Sequence, residues 1–125
     1  MNIPNNLLYT KEHEWCLIEN DYAVIGITDF AQSELGDIVF IEFPTIDQNI
    51  NKDESVGTIE AVKTVADLFS PLSGTVVDIN DSLENEPNLL NDDPYDKGWI
   101  FKLKLSNKDE VDSLLNDNNY KNIIA

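Results

Sequence analysis

Lys63 is the residue whose surroundings most invite a chemical reading. It lies in Val56-Gly57-Thr58-Ile59-Glu60-Ala61-Val62-Lys63-Thr64-Val65-Ala66-Asp67-Leu68, with one acid three residues before it and another four after. The chain holds eight Lys and no Arg, against 24 Asp and Glu. A single cation in a mostly apolar, acid-flanked segment can be a solvated lysine on a helix face. It can also be an amine acylated by a carrier cofactor, in which case it is a tether and not a charge. A third use, as a Schiff-base nucleophile, needs burial to lower the amine pKa. Acidic neighbours act in the opposite sense.

A second group is Glu12-His13-Glu14. Two nearby carboxylates can serve as a general acid and base, but with 24 acids in the chain such pairs arise by chance. His13 is the only His, and Cys16 the only Cys. Strand alternation would put His13 on the opposite face from Glu12 and Glu14, so no metal-ligand set is readable. Cys16 reads as a small buried apolar residue, and Trp15 and Trp99 read as core.

A chain of 125 residues is expected to form one domain, spanning 1–125. The lone Cys makes no internal disulfide, which points to a reduced, intracellular protein. No apolar run is long enough to cross a membrane as a helix. The start, Met1-Asn2-Ile3-Pro4-Asn5-Asn6, lacks the patterns of a secretory signal or a transit peptide. The expected location is the cytoplasm, with a mature mitochondrial form as the alternative. The net charge of -16 argues against nucleic acid, which is bound by neutralising phosphates with Lys and Arg. Asp78, Asp81, Glu84, Glu86, Asp92, Asp93 and Asp96 follow one another with no base up to Asp96. They read as a solvated loop or as a face that steers basic partners. A monomer is expected.

Turn signals recur at short intervals, among them Asn20-Asp21, Gly36-Asp37, Ser73-Gly74 and Asp93-Pro94. Short β-branched or aromatic runs lie between them, which favours an all-β sandwich or barrel. Strands are expected over 15–19, 22–27, 38–43, 55–60, 75–79 and 99–104. Thr28 can cap a short helix that Gly36 stops, over 28–35. Ser106 can cap a C-terminal helix near 107–115, with Asp109 and Glu110 in its first turn. Asn116 to Asn119 should break that helix, leaving Tyr120, Ile123 and Ile124 for a last packed turn. Gly36-Asp37-Ile38-Val39-Phe40-Ile41 resembles Gly74-Thr75-Val76-Val77-Asp78-Ile79, and Gly57-Thr58-Ile59 resembles Gly98-Trp99-Ile100. This weak repeat would fit two similar halves folded over one core.

Gly57, Ile59, Glu60, Val62, Lys63 and Asp67 resemble the lipoyl-attachment motif of the glycine cleavage system H proteins, with Ala61 and Ala66 where Ser is common. Other segments resemble the same family in order: Tyr9-Thr10-Lys11-Glu12-His13-Glu14-Trp15, then Gly26-Ile27-Thr28-Asp29-Phe30-Ala31-Gln32 and Leu35-Gly36-Asp37-Ile38-Val39-Phe40. Ser70-Pro71-Leu72-Ser73-Gly74, Asn91-Asp92-Asp93-Pro94-Tyr95 and Gly98-Trp99 complete a match from about Leu8 to Leu115. The resemblance implies a mainly β fold of the lipoyl/biotinyl-carrier type, a barrel-sandwich hybrid of two small sheets.

Periodicity and resemblance disagree around Lys63. Ile59, Val62, Ala66 and Phe69 fall near helical spacing. The resemblance implies a β-hairpin with Lys63 at its tip. Val56, Thr58, Ile59, Val62, Thr64 and Val65 favour strands, and Gly57 is a poor helix residue. Against the hairpin, the tip has no Gly or Asn to supply positive φ. A local rule broken at one turn often marks a functional site, and the hairpin is the expectation.

The resemblance further implies lipoate in amide linkage to Lys63, with Glu60, Val62 and Thr64 beside it. The arm would take an aminomethyl group from glycine on the pyridoxal-phosphate glycine decarboxylase. It would pass the carbon to tetrahydrofolate on the aminomethyltransferase. Dihydrolipoyl dehydrogenase would then reoxidise the dithiol. A lipoate ligase or lipoyl transferase would load the lysine. The chain itself would be a carrier and not an enzyme. The cargo ends in an amine, cationic near neutral pH, which carboxylates would hold. The positions matching Glu14 and Asp67 are suited to this, and Glu12 stands where the family often has Ser. No role falls to Phe30 or Glu34.

Three alternatives remain open at this level. Biotinyl domains carry Met-Lys-Met where this chain has Val62-Lys63-Thr64, and lipoyl domains of 2-oxoacid dehydrogenases lack the N-terminal strand and the C-terminal helix. A lipoyl relay protein, donating lipoate to other enzymes, would share every motif. An acid-base enzyme using Glu12 and Glu14 would need a cleft that the sequence does not reveal.

Overall fold

A computed structural model describes all 125 residues. Strand β1 is Leu8–Tyr9, β2 Glu14–Glu19 and β3 Tyr22–Ile27; helix α1 is Asp29–Leu35; β4 is Ile38–Glu42, β5 Asn49–Ile50, β6 Ser55–Ala61, β7 Val65–Phe69 and β8 Gly74–Ile79. Two single-turn helices follow, α2 Ser82–Asn85 and α3 Leu89–Asp92, then β9 Phe101–Leu105, a 3-10 stretch Lys108–Ser113 and helix α4 Asp117–Ile124.

The strands form two antiparallel sheets. One has six strands in the order β1-β2-β3-β9-β8-β5, the other three in the order β4-β6-β7. Their inner faces enclose one apolar core, in which Ile25, Ile59, Leu68, Leu72, Val76, Phe101 and Leu103 are buried. The last strand alternates, with Phe101, Leu103 and Leu105 inside and Lys104 outside, while Ile100 just before it is buried as well. A smaller cluster joins the two chain ends: Ile3, Leu7, Tyr9, Trp15 and Tyr120. Tyr9 and Tyr120 stack with ring centroids 4.7 Å apart. Cys16 is fully buried, and that burial pushes its thiol far up, so it is packing and not chemistry.

The repeat seen in the sequence has a structural counterpart. The matched segments fall at β4 and β6, which pair in the small sheet, and at β8 and the residues leading into β9, which pair in the large one. Both pairs carry a bulge at the same aligned place, between Ile38 and Phe40 in β4 and between Val76 and Asp78 in β8.

The hairpin forms, and the helix that periodicity favoured does not. β6 and β7 pair antiparallel up to Glu60 opposite Val65. No residue from Ala61 to Thr64 has positive φ. The Ala61 N–H donates to the Thr64 carbonyl at 2.8 Å but the return bond from the Thr64 N–H is not made, so the ladder ends at Glu60 and Val65 with four residues between them. Loops of this width are usually built on turns that need no left-handed residue.

Helix α1 begins and ends where expected. Thr28 Oγ1 accepts from the Ala31 N–H at 3.2 Å, and Gly36, at φ 77, closes the last turn through its N–H to the Gln32 carbonyl. The C-terminal region differs from expectation. Helical structure does occupy 108–113, but as a 3-10 stretch capped by Asn107, not by Ser106. The α-helix comes later, across the residues expected to break it. Asn116 is its cap, accepting from the Asn119 N–H at 2.8 Å. The reason is tertiary. Tyr9 and Leu115 exchange two backbone hydrogen bonds, each of 2.8 Å, which holds Leu115 extended, so no helix can run through it. A cap-forming Asn then starts a new helix.

Candidate functional site

Lys63 is exposed at the tip of the β6–β7 hairpin. The tip is braced from outside the hairpin. The Val62 N–H donates to the Asp37 carbonyl at 2.9 Å. The loop holding Asp37 is itself pinned by Asn91. Its Nδ2 donates to the Gly36 carbonyl at 2.8 Å, and its Oδ1 accepts from the Ile38 N–H at 3.0 Å. The lysine stem lies over Gly36, where an added Cβ would sit 3.4 Å from Lys63 Cε. A side chain at residue 36 would fill that cradle, and its positive φ also favours Gly. Lys63 belongs to no ion pair.

Glu60 is exposed on the outer face of the small sheet, beside Phe40 on β4 and Val65 on β7. Val62 and Thr64 flank the lysine and are both exposed. These residues surround the lysine from outside and line no cleft.

A cleft of about 450 Å³ lies between α1, the start of β2 and the β6–β7 sheet. Its apolar wall includes Ile27, Phe30, Leu35, Ile59 and Phe69, and its polar groups are Glu12, His13, Glu14, Glu34 and Asp67. It contains four carboxylates and no lysine. Glu14 is 3% exposed, and the turn before β2 explains its placement. Thr10 Oγ1 accepts from the N–H groups of Glu12 and Glu14, both at 3.2 Å, and donates to Glu14 Oε1 at 2.6 Å. Oε2 has no hydrogen-bond partner, yet no buried polar atom is left unsatisfied, so Oε2 is the oxygen open to a ligand. Burial raises the Glu14 carboxyl to about 7, and the Glu12 charge pushes the same way, while the Thr10 hydrogen bond opposes it.

Glu12 is exposed at the cleft's edge. Asp67 is exposed as well, opposite Thr58, and its Oδ1 accepts from Ser55 Oγ at 3.3 Å. The cleft therefore brings together Glu12, Glu14 and Asp67, with Glu14 alone buried.

His13 corrects an expectation. It does not alternate away from its neighbours, because at φ 70 it sits in the turn and not in a strand. All three residues of Glu12-His13-Glu14 line the same cleft. His13 Nδ1 lies 2.9 Å from Tyr120 Oη, which is 2.7 Å from Thr28 Oγ1. Burial lowers the His13 pKa, against the pull of Glu12 and Glu34. Sequence reasoning missed Thr10, Phe30, Glu34 and Tyr120 at this site. Only Thr10 left a signal, a hydroxyl four residues before the buried acid. Trp15 is core, as expected, with Nε1 donating to the Pro94 carbonyl at 3.0 Å. Trp99 is half-buried and lines a separate shallow groove with Tyr95.

Two sheets folded over one core, with an exposed lysine on a braced hairpin beside an acid-lined cleft, define a carrier domain of the lipoyl type. The glycine cleavage H-protein family model matches residues 7–125. The chain is 48% identical over 125 residues to the glycine cleavage system H protein of Staphylococcus carnosus strain TM300, spanning 100% of this chain and 99% of that protein. The crystal structure of a glycine cleavage system H protein from Mycobacterium marinum superposes with a TM-score of 0.88 at 32% identity, covering 96% of this chain and 97% of that one. The chain belongs to the glycine cleavage H-protein family. Its role is that of the family's lipoyl carriers, which shuttle the aminomethyl group of glycine within the glycine cleavage system and are not catalysts themselves.

Proposed function

We propose that Lys63 is the residue on which this chain carries lipoate, and that residues 1–125 act as one carrier unit. The observation that supports this most is the braced tip: an exposed, unpaired amine whose backbone is held through Asp37 and whose stem rests on Gly36. Lipoate in amide linkage supplies disulfide and dithiol chemistry at the end of a long arm. The protein's own residues then decide where that arm rests. Gly36 leaves room for the lysine stem beside the end of α1, and Leu35 and Glu34 continue from there as cleft wall.

Glu14 Oε2 would accept from the ammonium of the cargo, with Glu12 and Asp67 adding negative field at the mouth. A carboxyl poised near 7 by burial is the group most changed by a cation beside it, since the opposite charge favours its ionised form. The apolar wall would keep water from the labile cargo. Glu60, Val62 and Thr64 would be read by the lipoate ligase or lipoyl transferase. The glycine decarboxylase, the aminomethyltransferase and dihydrolipoyl dehydrogenase would each meet the chain in turn, in the cytoplasm and with the carrier as a monomer.

Intact mass of the protein from a lipoate-competent cell tests the attachment. The expected result is an increase of one lipoyl amide, absent in Lys63→Ala. An unmodified wild-type chain, in a host whose own lipoyl proteins are modified normally, would end the proposal.

A further inference from the structure

Nine large hydrophobic side chains are exposed, and four of them gather around Lys63: Val39 (49%), Phe40 (54%), Val62 (75%) and Val65 (61%). Strand pairing explains the cluster. Phe40, Glu60 and Val65 are in register across β4, β6 and β7, so Phe40 and Val65 flank Glu60 on the outer face. The bulge adds a residue to β4 and leaves both Val39 and Phe40 exposed. Bulges commonly re-aim side chains in this way. The next row is Glu42, Thr58 and Asp67. Along β4, β6, β7 and the tip the acids are Glu42, Glu60 and Asp67, and the only base is Lys63. Glu42 and Glu60 belong to no ion pair.

The other half of the molecule provides an internal control. The equivalent bulge on β8 holds Val77 and Asp78 in place of Val39 and Phe40. The bulge is common to both halves, but the paired apolar side chains occur only beside the lysine.

We propose that Val39 and Phe40, on the bulge of β4, form the docking surface for the enzyme that acylates Lys63, and that this enzyme meets them with an apolar spot ringed by Lys or Arg. The inference rests on Lys63 being the attachment residue. The choice of occupant follows from reach. In acylation the Lys63 Nζ attacks the carbonyl of a lipoyl donor activated as a mixed anhydride. The amide C–N bond forms, the anhydride C–O bond breaks, the phosphate group leaves, and the Nζ proton passes to solvent. That active site must come within one lysine side chain of the hairpin, so it must cover the surface beside the tip. Enzymes acting at the far end of the arm work an arm's length away. The acidic surround favours a basic rim on the partner and a rate that falls as salt rises.

The test is the initial rate of lipoyl addition by a purified lipoate ligase with lipoate and ATP, followed by intact mass over a range of carrier concentrations. The full-length wild type, the Val39→Ser/Phe40→Ser double variant and Val77→Ser are compared, with thermal melts to confirm folding. The double variant should lose about tenfold in kcat/KM, mostly through KM, as expected for truncating an interface anchor. Val77→Ser should match wild type. Equal rates for the double variant and wild type, or an equal loss in Val77→Ser, would overturn the docking surface. A wild-type chain that is never acylated would instead overturn the Lys63 reading itself. After prolonged loading to full occupancy, the double variant should support glycine-dependent turnover like wild type. An equal loss there would assign the surface to the arm-using enzymes and overturn the proposal.

Discussion

The strand pairs β4–β6 and β8–β9 share a local pattern and a bulge, yet only one pair leaves a lysine on a protrusion. Lys63 stands six residues beyond Gly57, and Lys104 stands six beyond Gly98. Lys104 lies within β9, with Tyr22 of β3 on one side and Thr75 of β8 on the other. Its side chain reaches solvent from the middle of a paired strand. Lys63 follows the end of β6, where the chain turns after Ala61 and no neighbouring strand flanks it. The same residue at the same offset is a solvated surface charge in one half and a candidate tether in the other. What separates them in the fold is where the strand ends: β6 stops at Ala61, before Lys63, whereas β9 runs on through Lys104.

The largest test of this comparison strikes the two glycines. A Cβ on Gly57 would lie 2.1 Å from the Glu42 carbonyl oxygen, and one on Gly98 would lie 2.7 Å from that of Asp93. Neither backbone oxygen can move freely. Gly57→Ala is expected to cost about 3 kcal/mol or more and Gly98→Ala somewhat less, read from denaturant midpoints. Native-state hydrogen exchange sharpens the contrast. The Ala61 N–H, which closes the tip, should lose protection in Gly57→Ala and keep it in Gly98→Ala. Loss in both would mean that the halves are not independent.

A second test concerns the cleft that adjoins only the Lys63 half. The folded chain holds the Glu14 proton more tightly than the unfolded chain does. Glu14 therefore favours the fold below about pH 4.5, and that advantage is lost as pH rises through about 7. Relative to Glu14→Gln, wild-type stability should fall by about 3 kcal/mol across that window. Urea titrations at several pH values would show it. A constant difference would mean that Glu14 is better solvated than its burial implies.

The smallest effect is expected at the control lysine. Lys104→Ala should change stability by no more than about 0.5 kcal/mol and leave the mass added at Lys63 unaltered. A missing adduct in Lys104→Ala would show that the second half takes part in recognition.

Much of the fold was legible because alternation and turn residues are local. β3 and α1 fall where the pattern put them, and β6 and β8 differ by one residue at an end. The hairpin around Lys63 was legible only against its own helical periodicity. The spacing of Ile59, Val62, Ala66 and Phe69 is ambiguous in so short a segment, and the strand state wins because Ile59 and Leu68 are buried against the large sheet. The candidate site was legible as a set of residues and not as a shape. Glu14 and Asp67 could be named from a motif, but their unequal burial could not. The His13 error has the same root, since a positive φ at a non-Gly residue leaves little trace in sequence.

The sequence by itself determined the strand alternation, the Thr28 cap and the acidic surface, because each depends on residues close in the chain. Tertiary structure decided the rest. It set the start of α4 through the pairing of Tyr9 with Leu115, and it braced the tip through Asn91 and Asp37. It also buried Glu14 between α1 and the small sheet. Those outcomes depend on groups far apart in sequence that meet only after the two sheets have closed over their core.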